Sequence, residues 1–123
     1  MFFKNKKNTN ENLKQNIKKD LYLKNNLYLN DLKENVAEFC SLALYIQNVK
    51  SDNIYGQETI KQLNKLRMLI RMSFPPDNLQ GKQIFELTLY ISTNLLDNNL
   101  SDYLSTMVYL TQKYIWDYEE ELK

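Results

Sequence analysis

Apolar positions recur at steps of three and four along most of this chain, the spacing that places side chains on one face of an α-helix. The clearest stretch runs from Asp31 to about Lys50. Leu32, Val36, Phe39, Ala43 and Ile46 keep the helical period there, and Asp31 followed by Glu34 has the form of a capping box. Cys40, Leu42, Leu44, Tyr45 and Val49 broaden its apolar face beyond one stripe, which predicts a central helix with more than one neighbour. Upstream, Leu13, Ile17, Leu21 and Tyr28 mark a sparser helix over 10–28, either interrupted at Asn25-Asn26 or running on into the next one.

Downstream, Ile60, Leu63, Leu66 and Ile70 predict a helix over 57–73 that stops at Pro75-Pro76. Proline lacks an amide hydrogen and pushes the preceding residue, here Phe74, out of the α region. Asp77 with Gln80 is a second capping-box pattern, opening a helix to about Leu96 with Ile84, Leu87, Ile91 and Leu95 inward and Phe85 and Leu89 beside them. Gly81 falls in its first turn. Asp97-Asn98-Asn99 closes it. A last helix opens at Ser101, or at Asn99 with Asp102, and carries Leu104, Met107, Thr111, Tyr114, Tyr118 and Leu122 to the end. Short polar connections make consecutive helices antiparallel. The predicted fold is all-α, an up-and-down antiparallel bundle of four to five helices. Residues 1–9 are expected to form a flexible basic N-terminus and 10–123 a single helical-bundle domain.

Composition agrees with this picture. Glycine and proline occur only twice each among 123 residues, too few for the turns of an all-β fold. The formal net charge is +1, but unevenly spread. Lys4, Lys6, Lys7, Lys14, Lys18, Lys19 and Lys24 face only Glu11 and Asp20 in the first two dozen residues, while Asp117, Glu119, Glu120 and Glu121 face Lys123 at the other end. A solvated basic arm and a solvated acidic tail are the plain reading. Interleaving of Tyr22 with Lys14, Lys18 and Lys19 gives the alternative, a nucleic-acid-binding module using the lysine arm.

The chain has no histidine, which removes the commonest general base and neutral metal ligand. With Cys40 as its one cysteine, zinc sites of the Cys/His type and intramolecular disulfides are excluded. No glycine-rich phosphate loop or nucleophile elbow occurs. The expectation is a protein that is no enzyme, needs no cofactor and binds no metal. No apolar run approaches the roughly 18 residues of a membrane span, and MFFKNKKNTN lacks the apolar core of a secretory signal, so a cytoplasmic protein with no membrane span is expected.

The only two arginines, Arg67 and Arg71, lie four residues apart in KQLNKLRMLIRMSFPP, about 100° round the helix from Leu66 and Ile70. Such a pair calls for anions. Glu38 in VAEFC and Glu86 in IFELT are the candidates, giving structural ion pairs between helices; an anion-binding site is the alternative. Cys40 reads as a buried inert thiol, since no histidine can activate it. Trp116 reads as packing of the last helix, with a protein contact as the alternative.

The segments NDLKENVAEFCSLALYI, LNKLRMLIRMSFPPD and TQKYIWDYEEELK together resemble a broad group of uncharacterised bacterial and prophage helical-bundle proteins. Val36, Ala37, Phe39 and Leu42 match its first element, Leu66, Arg67, Ile70 and Pro75 its second, and Lys113 with Trp116 its third, over about residues 30–123. Members commonly carry membrane helices ahead of this region; this sequence has none. The resemblance implies a helical module often found on mobile elements and, for a phage-borne member, action on a host defence complex. Together with the wide apolar faces, it leads to the expected function: a non-enzymatic protein–protein interaction module with a protein partner, including a homo-oligomer.

Overall fold

The computed structural model describes the backbone of residues 2–49 and 53–123, and the side chains of 10–49 and 57–123. Four helices carry the chain: α1 (Phe2–Asn48), α2 (Asn53–Met72), α3 (Leu79–Thr93) and α4 (Leu100–Glu121). No strand occurs among the described residues, and the helices form the all-α antiparallel bundle that the periodicity predicts. None of these helices is long and apolar enough to cross a membrane, among the described residues.

The first two predicted helices are one. Asn25-Asn26 does not break α1, and Asp31 with Glu34 caps nothing, because both lie in its interior. The cost explains this: an interior asparagine loses only about 0.7 kcal/mol against alanine, too little to end a helix by itself. The helix also takes in residues 2–9, whose side chains, including Lys4, Lys6 and Lys7 of the basic segment, lie outside the described residues. The chain divides into two compact units, 1–31 and 32–123, which differ from the boundary at residue 10 suggested by the sequence.

Within the unit 32–123, each helix turns its predicted stripe inward. Leu32, Val36, Phe39 and Ala43 of α1, Leu63, Leu66 and Ile70 of α2, Ile84 and Ile91 of α3, and Leu104, Met107 and Tyr114 of α4 are buried. Ile60 departs from its stripe: it is 45% exposed, and Thr59 is buried in its place. Antiparallel order shows in the contacts at the helix ends. Gln80 Nε2, near the start of α3, donates to Asp117 Oδ2 near the end of α4 at 2.8 Å. At the opposite end the Tyr90 and Tyr103 hydroxyls lie 3.3 Å apart, their rings edge to face. Gln47 Nε2, one residue from the end of α1, donates to the carbonyls of Leu95 and Asp97 in the α3–α4 connection. The end of α1 thus meets the end of α3 and the start of α4, as up-and-down topology requires.

The Pro75-Pro76 corner folds Phe74 back into the core, where its ring meets Tyr114 edge-on at 4.7 Å. Helix α3 then starts one residue later than the predicted capping box. Asn78, not Asp77, is the cap: its Oδ1 accepts the Gly81 N–H at 2.7 Å. Gln80, freed from a capping role, makes the bond to Asp117.

Within the unit 1–31, Leu13, Ile17, Leu21, Leu23 and Leu27 are all exposed.

Candidate functional site

Arg67 and Arg71 both turn toward Phe85 of α3, with their guanidinium carbons 5.4 and 5.7 Å from the ring centroid. The expected ion pairs with Glu38 and Glu86 do not form. Among the described residues the ion pairs are Lys61–Glu58 within α2 and Lys123–Glu120 at the end of α4, both between exposed side chains three residues apart. Glu38 and Glu86 are exposed. The reason is geometric. Phe85 points into the α2–α3 junction, and Glu86, 100° further round α3, points out to water. Stacking a cation on an aromatic face contributes about 0.5–2 kcal/mol with no anion needed. The arrangement is imperfect, since Arg67 Nε is buried without a hydrogen-bond partner. The pair therefore joins α2 to α3 through a ring, a structural role in place of the anticipated ionic one.

Two grooves flank α1 within the unit 32–123. One, of about 480 Å3 between α1 and α2, is lined by polar side chains over a leucine floor, with Glu38 and Lys65 among them. Its polar groups are largely solvated surface side chains.

The other groove, of about 370 Å3, lies between α1 and α4. Cys40 and Leu44 form the α1 wall; Leu104, Val108 and Tyr109 form the α4 wall; Ser101, Ser105 and Gln112 line its α4 side. The sequence dictates this opening. The inward stripe of α4 is Leu104, Met107, Thr111 and Tyr114, and Val108 and Tyr109 fall off it, apolar yet turned to the outside. Leu44 does the same on α1. Cys40 is half-buried in the wall, and burial pushes its thiol up to about 11. The thiol is thus held largely protonated at neutral pH and reacts slowly, and it is less buried than the sequence suggests.

Two turns beyond Tyr109 on the same side of α4 stands Trp116. It is 65% exposed and Tyr109 is 62% exposed, so Trp116 does not anchor its helix in the core as first expected. Tyr109 lines the groove, and Trp116 stands beyond its end on the same side of α4, with exposed Gln112 and Lys113 between them. The helical pattern already places Cys40 and Leu44 on the broad apolar face of α1 and singles out Trp116, but it gives Val108 and Tyr109 no role. The signal that could have found them is a large apolar residue adjacent to, and outside, a complete inward stripe.

In the unit 1–31, Lys18, Lys19, Tyr22 and Leu23 surround a shallow hollow, so the structure brings together three of the residues read as a basic arm. Lys14, one turn before Lys18, is exposed. Compared with protein-family models, with curated proteins and with solved structures, the chain finds no match in any of the three.

Proposed function

We propose that this chain is a non-enzymatic protein-interaction module whose working surface is the α1–α4 groove with the outward face of α4. The observation that carries this reading is the pairing of an apolar groove with Tyr109 and Trp116, both mostly exposed and two turns apart. Leaving Tyr109 in water beside Leu44 and Val108, and Trp116 in water two turns further on, forgoes burial worth roughly 1.5–3 kcal/mol for each large side chain. Aromatic side chains beside a groove are the usual anchors of protein interfaces. Serines and Gln112 supply the polar rim that such an interface requires.

A photo-crosslinking aromatic residue in place of Tyr109, introduced in cells that make the chain, tests this directly. Irradiation is expected to yield protein adducts that disappear when Val108→Glu is added. Absence of adducts, or adducts indifferent to Val108→Glu, contradicts the reading.

A second reading, nucleic-acid binding by the lysine arm, is favoured by one observation: Tyr22 sits beside Lys18 and Lys19 at the same hollow, the pairing of ring and cation that stacks and neutralises a strand.

A further inference from the structure

Two uncovered apolar surfaces of this chain carry opposite charge. In the unit 1–31, Leu13, Ile17 and Leu21 are exposed at helical steps of four. Lys14 and Lys18 directly follow two of them, so cationic heads flank the stripe while their stems extend it. Over 1–31 seven lysines face three carboxylates, whereas α4 carries five carboxylates against Lys113 alone: Asp102 within the stretch that walls the groove, and Asp117, Glu119, Glu120 and Glu121 beyond its Gln112 end. Lengths correspond as well. Leu13 to Leu21 spans about 12 Å of helix, and the α4 wall from Ser101 to Gln112 about 16 Å, at 1.5 Å per residue. A basic helix with a short apolar stripe and an apolar groove on an acidic helix suit the helix-in-groove mode of recognition.

We propose that the α1–α4 groove is filled by residues 10–31 of a second copy of this chain. The Leu13–Ile17–Leu21 stripe lies against Leu44, Leu104 and Val108, and the lysines around it are drawn to Asp102 at one end of the groove and to the carboxylates of 117–121 beyond the other. This rests on the groove being a protein-binding site and names its occupant. The contact is heterologous, groove to helix, so each copy contributes a different surface. Attraction between exposed charges is screened by salt, so association weakens as ionic strength rises.

Sedimentation of the purified full chain tests the proposal. At low salt the mass is expected to be that of two or more copies, falling toward the 14.7 kDa monomer at about 0.5 M salt. Ile17→Glu and Val108→Glu each place a charge on an exposed position, so the fold survives, as an unchanged helical circular-dichroism signal will verify. Each is expected to weaken association at least tenfold. An equimolar mixture of the two variants regains association, because one intact helix still meets one intact groove. A chain that is monomeric at every concentration overturns the proposal, as does association untouched by either variant or a mixture that fails to recover. So does a monomer whose residues 10–31 capture an oligonucleotide. If the chain is monomeric while position 109 still crosslinks to another protein, the groove reading stands and only the second-copy occupant falls.

Discussion

Phe39→Ala is expected to remove about 3–5 kcal/mol of folding stability, the range for deleting a fully buried phenylalanine. Phe39 sits in the broadest apolar face of α1 and is 0% exposed. Its loss subtracts the ring's transfer free energy and leaves a cavity that packed helices only partly fill. A domain of this size has a total stability of about 5–15 kcal/mol, so one substitution takes a large share. Urea or thermal unfolding measures it, with a drop in Tm of roughly 10 °C or more. Leu44→Ala, only five residues along the same helix but exposed, is the control and is expected to change stability little. Equal effects of the two substitutions would mean that α1 does not present the face described.

Gly81→Ala is expected to destabilise by about 1–3 kcal/mol, the cost of overpacking a close contact. Helix propensity alone gives the opposite sign, since alanine is favoured over glycine by about 1 kcal/mol within a helix. The contact decides it. A β-carbon on Gly81 would stand 2.5 Å from both Cβ and Cγ of Phe74. Phe74 Cβ is tied to the backbone and cannot swing aside, and its ring is held by Tyr114. The two sites should therefore be strongly coupled. In a Phe74→Gly background, which removes both Cβ and Cγ, the same glycine substitution becomes neutral or stabilising. Denaturation of the two single variants and the double variant reads this coupling, and a stabilising Gly81→Ala in the parent chain would contradict the close approach.

These residues also show what could be read in advance. The core was legible because burial of a helix face imposes a period, and Leu32–Val36–Phe39–Ala43, Leu63–Leu66–Ile70 and Leu104–Met107–Thr111 each carry it. Helix boundaries were less so. Asn25-Asn26 and Asp31–Glu34 are small local preferences, and a long continuous helix overrides them. Gly81 showed only as a first-turn residue, because its reason lies in Phe74, returned to it by the proline corner. Arg67 and Arg71 were recognised as a pair needing a partner, but formal charge directs attention to Glu38 and Glu86. The ring of Phe85, which carries no formal charge, takes the role because of how α2 and α3 meet. The α4 side of the groove was not legible for the opposite reason: Val108 and Tyr109 lie outside the inward stripe of α4, and only the packing of α1 against α4 gives them a neighbour in Leu44.

Labelling of Cys40 by a small maleimide most directly asks whether the groove beside it is covered in the working molecule. The thiol lies in the α1 wall, and burial holds it protonated, so labelling starts slowly in the free chain. With a second copy in the groove, the rate is expected to fall severalfold as the chain is concentrated at low salt. In Ile17→Glu it is expected to stay constant. One rate at every concentration, the same in both proteins, would show the groove open and contradict its occupation by residues 10–31.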